Sequence, residues 1–281
     1  MIKIVADTTC ALPREQLKLL GIPVIPQIVI FGETSYRDDT ELDTAAFLQK
    51  LKGSAQLPKT AAPPPPLYNP IFDAALENGD EVIVIAPSIK VSGTARSAEV
   101  AAREFPQLKV HVVDSHSIAA NVGALVLIAA NLARQGESAE TILKQLNEWI
   151  PRQRTYFLVD TLEYLQKGGR IGGAKALLGE LLQVKPILHL QDGQVEPFEQ
   201  QRTKKRALRR LVEIVEEQCP QNASAYLSVL QADAVEEAEA LAAGLRSRMN
   251  LDRVPVYEMP PAIVVHGGPG IMGVAFMTSA R

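Results

Sequence analysis

Cysteine is scarce in this sequence, which has only two thiols in 281 residues, Cys10 and Cys219. Two cysteines cannot form a disulfide framework, and they are too few for a four-cysteine zinc site. The four histidines lack the spacing of metal ligands, so we expect neither a metal nor a cofactor. Aromatic residues make up only 5% of the chain, and its core must therefore consist mainly of Leu, Ile, Val and Ala.

A surplus of positive charge is also absent. Lys and Arg number 29 against 32 Asp and Glu, a formal net charge of -3, whereas neutralising phosphates needs a basic surplus. We therefore expect no nucleic-acid partner. The most apolar stretch, residues 118–133, is too short to span a bilayer, and MIKIVADTT resembles a strand more than a signal segment. These features predict a cytoplasmic protein.

Short apolar runs alternate with amphipathic segments in the first half of the chain. Runs rich in Val and Ile, typical of buried strands, occur at residues 2–5, 24–30, 82–86 and 110–113. Helical patterns lie between them. This alternation predicts an α/β fold with a mostly parallel sheet flanked by helices.

We expect two α/β domains, residues 1–152 and 153–281, because the pattern changes near Pro151. In the second domain, Asp192-Gly193 predicts the turn of a hairpin, which makes its sheet a mixed one. The same half contains a predicted helix at residues 174–182 and predicted strands around Ile263 and Val274.

Two segments have the residue types of an anion site. Six of the 19 prolines lie between Pro58 and Pro70, so this stretch is either a stiff connector or a rigid loop that holds Thr60 for a ligand. The segment Val91-Ser92-Gly93-Thr94 begins a predicted helix, where hydroxyls and free N–H groups suit a carboxylate or phosphate. An N-cap for that helix is an equally good interpretation.

Near the C-terminus, His266-Gly267-Gly268-Pro269-Gly270 indicates a sharp backbone turn beside a histidine. The glycine spacing up to Gly273 matches the dinucleotide fingerprint. Only eight residues follow, too few for the helix and acidic residue that the fingerprint requires. The imidazole of His266 either supports a ligand carboxylate and its hydroxyls or bonds only to backbone.

Six cations lie within nine residues: Arg202, Lys204, Lys205, Arg206, Arg209 and Arg210. This basic cluster stands at the start of a predicted helix, where the helix dipole disfavours positive charge. The cluster is either a solvated face or a docking surface for an acidic partner or an anionic membrane.

Seven segments, taken in order, are similar to a known family. They are Asp7-Thr8-Thr9, Pro58-Lys59-Thr60, Val91-Ser92-Gly93-Thr94, Asp114-Ser115, residues 162–171 (LEYLQKGGRI), Lys185-Pro186-Ile187-Leu188 and His266-Gly267-Gly268-Pro269-Gly270. Together they resemble the DegV family of fatty-acid-binding proteins over essentially the whole chain. The resemblance implies two α/β domains with a fatty acid held in a tunnel between them.

In such proteins a Thr of the Pro-Lys-Thr loop and the Ser of the Ser-Gly-Thr turn bind the carboxylate, which here means Thr60 and Ser92. The family often has Ser after that Thr, where this chain has Ala61, so no further hydroxyl contact is expected there. The resemblance also implies that other residues lie near the head group, namely Gly93, Arg170, His266 and Gly267.

The same resemblance implies a carrier and not an enzyme. The bound long-chain fatty acid would be presented to a separate fatty acid kinase and phosphorylated to an acyl-phosphate. From the charge of the basic cluster, and not from the resemblance, we expect Arg202, Lys205 and Arg209 to dock that kinase or to contact an anionic membrane surface transiently.

Two other functions compete with the carrier. One is an acyl-ester hydrolase or acyltransferase that uses Ser92 or Ser115 with His266. The other is a DNA-contacting regulator working through residues 202–210, against which the net acidity counts.

Overall fold

The computed structural model describes residues 1–178 and 184–279. Its helices are α1 (Arg14–Leu19), α2 (Thr44–Lys52), α3 (Asn69–Asn78), α4 (Thr94–Arg103), α5 (Ala120–Arg134), α6 (Ala139–Trp149), α7 (Glu163–Lys167), α8 (Lys204–Gln218), α9 (Val235–Arg248) and α10 (Pro261–Gly267). Its strands are β1 (Ile2–Asp7), β2 (Val24–Ile25), β3 (Ile28–Phe31), β4 (Thr34–Arg37), β5 (Lys59–Ala61), β6 (Glu81–Ala86), β7 (Val110–Asp114), β8 (Gln153–Leu158), β9 (Lys185–Gln191), β10 (Gln194–Gln201), β11 (Ser228–Gln231), β12 (Val256–Glu258) and β13 (Met272–Met277).

Four strands of the first half form a parallel sheet in the order β2-β1-β6-β7. Strand β6 is buried on both faces, as its unbroken run of Val and Ile predicts. Ile83 and Ile85 pack toward α5 and α6, whereas Val82 and Val84 pack toward α3 and α4. The predicted parallel sheet flanked by helices is confirmed.

Six strands of the second half form a mixed sheet in the order β10-β9-β8-β13-β11-β12. Only β11 and β12 pair in parallel. Side chains alternate between its faces: Tyr156 and Leu158 pack under α8 and α9, while Phe157 faces the opposite core. The mixed sheet is confirmed, and the division into domains at residue 152 stays a prediction.

The β9–β10 hairpin forms where Asp192-Gly193 predicts it. Both turn residues have positive φ, 49° for Asp192 and 80° for Gly193, as a two-residue type I′ turn requires. The tip is packed closely, because a Cβ on Gly193 would overlap the Ser88 hydroxyl. The hairpin therefore contacts a loop that follows the first sheet.

A third sheet, β4-β3-β5, is antiparallel and was not expected. The predicted single strand at residues 24–30 is wrong, since β2 and β3 belong to different sheets. Pro26 separates them and cannot donate to a sheet ladder. Strand β5 lies inside the proline-rich stretch, and it is an edge strand, where flanking prolines are tolerated.

Two further predictions need correction. The strand expected around Ile263 is wrong, because residues 261–267 form α10. Pro261 favours a helix at its first position, and a short buried apolar run does not distinguish helix from strand. For the helix predicted at 174–182, the structure has a short 3₁₀ helix at Gly172–Leu177, and residues 179–183 lie outside the described residues.

Helix α5 includes most of the apolar stretch at residues 118–133 and joins the two larger sheets. It contacts β1 and β6 of the parallel sheet and β8 and β13 of the mixed sheet. The Asn121 amide donates to the Arg154 carbonyl and the Thr155 hydroxyl at 2.9 and 2.8 Å. Within residues 1–178 and 184–279, α5 and the other helices fall short of the length and hydropathy that crossing a membrane requires.

Candidate functional site

An almost wholly apolar cavity of about 80 Å³ lies where the mixed sheet meets the first half of the chain. Phe157 and Leu230 line it from the sheet, and Val91 and Ile118 line it from the other side. Its other lining residues are Ala119, Thr155, Leu165, Arg170, Leu190, Val195, Met259, Ile263, His266, Gly267 and Ile271. An apolar cavity with few polar groups is typical of a small-molecule site.

A second, more polar cleft adjoins this cavity. It is lined by Leu57, Pro58, Lys59, Thr60, Tyr164, Lys167, Gly168, Arg170, Val265 and His266. Arg170 and His266 line both spaces. The polar groups therefore stand at the boundary between the apolar cavity and the cleft, where the head group of an amphipathic ligand would lie.

Thr60 is held at this boundary by sheet pairing. It lies in β5 opposite Val29 of β3, so the backbone is fixed by a strand ladder as well as by neighbouring prolines. Its hydroxyl lies 2.8 Å from His266 Nε2. The two residues are 206 positions apart in the sequence.

His266 lies in the last turn of α10, with its ring between Thr60 and the turn after α7. Burial, together with the nearby Arg170 charge, lowers the pKa of His266 to about 4. The ring is therefore neutral at pH 7. Its Nδ1 is buried and has no hydrogen-bond partner among the described residues. The ring also requires glycine at 168, because a Cβ there would overlap Nδ1.

Ser92 lies in the turn between β6 and α4. Its backbone N–H donates to the Ser88 carbonyl at 3.0 Å, and its hydroxyl lies 2.8 Å from the Thr94 hydroxyl. The N-cap of α4 is Gly93, although the Ser92 hydroxyl also accepts from the Thr94 N–H at 3.3 Å. The turn packs against Ala62, the residue after β5, since a Cβ on Gly93 would come within 3.2 Å of the Ala62 Cβ.

Arg170 connects the Ser92 turn to the second half of the chain. Its Nε donates to the Val91 carbonyl at 3.1 Å and its Nη1 to the Gly168 carbonyl at 2.7 Å. Burial lowers the pKa of this guanidinium from its usual value, but an arginine remains charged. The site therefore holds a half-buried cation beside the neutral His266, and two exposed lysines, Lys59 and Lys167, also line its cleft.

The structure thus brings together Thr60, Ser92, Gly93, Arg170, His266 and Gly267 from distant parts of the sequence. Hydroxyls, a guanidinium and a neutral imidazole beside an apolar cavity suit an anionic head group on an apolar chain. Their role in binding such a ligand stays a prediction.

The hydrolase alternative lacks geometric support. The Ser92 hydroxyl pairs with Thr94, and the Ser115 hydroxyl donates to the Ser117 carbonyl at 3.2 Å. His266 pairs with Thr60. Along the described ranges no serine hydroxyl is hydrogen-bonded to a histidine, and no cluster of His, Cys, Asp or Glu could hold a metal ion.

Sequence reasoning missed a buried polar network beneath Ser92. Asp7 and Asp38 are 1% and 2% exposed, and Gln27 lies between them. Two signals were available: Asp7 follows an apolar strand at the carboxyl edge of a parallel sheet, and Gln27 interrupts the apolar run VIPQIVI.

The basic cluster is divided between paired and exposed cations. Lys204 binds Glu237 of α9 at 2.6 Å, and Arg210 binds Glu199 of β10 at 2.9 Å. Arg209 lies 3.7 Å from Glu213. In the part of the chain that the structure describes, the exposed Arg202, Lys205 and Arg206 have no ion pair.

Comparison with known proteins gives consistent matches along the chain. A model of the DegV family, described as uncharacterised, matches residues 1–279. The crystal structure of DegV from Bacillus subtilis, described as a fatty acid binding protein, shares 34% identity and a TM-score of 0.89, with 99% of each chain covered. A DegV family protein from Thermus thermophilus, described by its fatty acid binding, shares 33% identity and a TM-score of 0.87 with the same coverage. A DegV domain-containing protein of Halalkalibacterium halodurans is 35% identical over 276 residues, 98% of each chain.

Proposed function

Because the chain belongs to the DegV family, we propose that it binds a long-chain fatty acid, with Thr60 and Ser92 holding the carboxylate. The observation that carries this proposal is the apolar cavity that Arg170 and His266 border, together with the adjoining cleft that Thr60 lines. An apolar chain with an anionic end matches both parts of that site.

Thr60 donates to the carboxylate when the His266 proton is on Nε2. The ring then donates to the Thr60 oxygen over the 2.8 Å contact and leaves the threonine proton for the ligand. In this tautomer the unpartnered Nδ1 carries a lone pair and no proton, and it lies near the Arg170 charge. An unpaired buried acceptor is better tolerated than an unpaired buried N–H.

The acyl chain supplies most of the binding energy. Burial is worth about 0.8 kcal/mol per methylene, or roughly 12 kcal/mol gross for about 15 methylenes, before the cost of association. A cavity of about 80 Å³ holds only part of such a chain.

In this proposal the protein is a cytoplasmic carrier that presents its acid to a separate fatty acid kinase for acyl-phosphate formation. Arg202, Lys205 and Arg209 form the docking surface for the kinase, and an anionic membrane is a transient second contact from which lipid is exchanged. The support is that Lys204 and Arg210 are held in ion pairs with other elements, whereas Arg202 and Lys205 are exposed.

Mass spectrometry of the purified protein, native and then after solvent extraction, tests the binding. We expect a co-purifying fatty acid at one per chain in the wild-type protein and less in a Thr60→Ala, Ser92→Ala double variant. A wild-type protein that carries no fatty acid, and takes up none when it is added, contradicts the proposal. Release of free acid from an added acyl ester would instead favour the hydrolase.

A further inference from the structure

A buried hydrogen-bond network begins at Asp7, the last residue of β1. Its carboxylate accepts from the Thr9 hydroxyl at 2.7 Å on one oxygen and from the Gln27 side-chain amide on the other. Gln27 is 3% exposed, and its backbone N–H donates to Asp38 at 2.7 Å. Gln27 is therefore fixed from both its backbone and its side chain.

This network has a definite direction. When the Asp7 carboxyl is ionised it can only accept, so the nitrogen of the Gln27 amide, and not its oxygen, then faces Asp7. The second N–H of the same nitrogen reaches the Thr94 hydroxyl oxygen at 2.8 Å. Thr94, itself 1% exposed, accepts from Gln27 and must turn its own proton elsewhere.

We infer that the Thr94 hydroxyl donates its proton to the Ser92 oxygen, since the nitrogen of the Gln27 amide can only donate to Thr94. The two hydroxyl oxygens are 2.8 Å apart, and the Thr94 N–H donates to the same Ser92 oxygen at 3.3 Å. A serine oxygen has two acceptor positions, and both are now used. The only hydrogen bond left to Ser92 is one in which its own proton donates outward.

We propose that Asp7, Gln27 and Thr94 are positioning residues that fix the Ser92 hydroxyl as an obligate donor toward the ligand head group. The inference deepens the proposed function and rests on it. Its chemical consequence is selectivity for a head group that accepts hydrogen bonds strongly, a carboxylate, over a same-chain ester.

The network links the edge of the parallel sheet to Ser92. The residues come from three places at the carboxyl edge of the parallel sheet: the end of β1, the segment after β2 and the start of α4. The Gln27 amide donates both to Asp7 and to Thr94, and the Thr94 hydroxyl lies within hydrogen-bond distance of Ser92. Charge-assisted hydrogen bonds are strong only when the donor is aimed at the acceptor.

A double-mutant cycle between Thr94 and Ser92 tests the proposal. Affinities for a sixteen-carbon saturated fatty acid and for its methyl ester are measured by titration calorimetry on delipidated protein. Thr94→Val keeps the side-chain shape and removes the hydroxyl, and we expect about tenfold weaker binding of the acid with little change for the ester. Thr94→Ser restores the hydroxyl and should bind the acid within about twofold of the wild type.

The Ser92→Ala background separates positioning from structure. If Thr94 acts through Ser92, adding Thr94→Val to Ser92→Ala changes the acid affinity by less than about twofold. An undiminished loss in that background, or an equal loss for the ester, overturns the proposal. Should Thr94→Val fail to fold, the cycle is run with Thr94→Ala, which introduces no new atoms. Wild-type protein that binds no fatty acid overturns the proposed function, whereas normal wild-type binding with additive losses overturns only the positioning role.

Discussion

In the proposed site Thr60 and Ser92 each contribute one hydroxyl, so removing either would leave a ligand carboxylate short of a donor. We expect Thr60→Ala or Ser92→Ala to weaken fatty-acid binding by about 1.5–3 kcal/mol each. Ser115→Ala is the matched control, because that hydroxyl bonds only within its own turn in the described residues. Calorimetric titration measures the three affinities. Unchanged affinity in both site variants would remove these residues from the binding site.

His266 should stay neutral well below the usual range of histidine. Burial and Arg170 lower its pKa to about 4, whereas an unfolded histidine titrates near 6.5. Between these values the unfolded state binds more protons, so this group's contribution to stability falls as the pH drops from about 6.5 to 4. NMR titration of the imidazoles should show one midpoint near 4, missing in His266→Ala. A midpoint near 6.5 for His266 would contradict the buried, neutral ring.

The contribution of Asp7 to stability depends on pH in the opposite direction. Burial raises the pKa of this carboxyl to about 7, so between pH 4 and 7 the folded state binds more protons than the unfolded state. Its contribution to stability therefore falls as the pH rises from about 4 to 7. Asp38, whose pKa is also raised to about 7 by burial, behaves in the same way. Urea unfolding at pH 5 and 8 should show a smaller difference between the two pH values for Asp7→Asn than for the wild type.

Individual elements were predictable where one pattern implies one environment. The Val- and Ile-rich run of β6 is buried on both faces, and Asp192-Gly193 permits the two positive φ values of its hairpin turn. The predictions of a single strand at residues 24–30 and of a strand around Ile263 were wrong. A run of apolar residues indicates burial, but it does not indicate which backbone groups pair with it. Strand β5 was not predicted because prolines flank it, and prolines argue against a central strand but are tolerated beside an edge strand.

The basic cluster at the start of α8 contains two kinds of cation: some are held in ion pairs with other elements, and others are exposed. We expect Arg202→Ala, or Lys205→Glu with Arg209→Glu, to impair acyl-phosphate formation by the kinase while leaving fatty-acid affinity and stability unchanged. Arg210→Ala is the contrasting control. It breaks ion pairs to Glu199 and Glu217 and should lower the unfolding temperature.

Salt dependence checks this docking surface independently. Exposed charges are screened over about 8 Å at physiological ionic strength, so the kinase reaction should weaken as salt rises. Cluster variants that support phosphorylation at the wild-type rate at low and high salt would show that the basic cluster is only a solvated helix face.

At the scale of the whole molecule, the site exists only because two halves of the chain meet. Sequence motifs indicated Thr60, Ser92 and His266 one at a time, and the resemblance grouped them. The 2.8 Å contact between Thr60 and His266 and the Arg170 bond to Val91 depend on packing between distant segments. The periodicity and spacing of residues in the sequence do not indicate contacts between distant segments. For the same reason the Asp7–Gln27–Thr94 network could not be predicted, although each residue is plainly visible in the sequence.

A ligand lodged between the halves should stabilise them as one unit. Trp149, the single tryptophan of the chain, packs edge-on against Tyr226 of the second half, with ring centroids 5.9 Å apart. Its fluorescence therefore reports on this contact, whereas far-UV circular dichroism reports on all elements. At a fatty-acid concentration about 100 times Kd, binding adds about 2.7 kcal/mol to the stability of the folded state.

We expect both signals to give one coincident unfolding transition, and fatty acid to shift both by the same amount. In Thr60→Ala the shift should be smaller at the same ligand concentration, because the affinity is lower. If fatty acid moved the dichroism transition and left the tryptophan transition in place, the halves would be unfolding separately. The ligand would then stabilise only one of them, and a site built from Thr60 on one side and His266 on the other could not be its binding site.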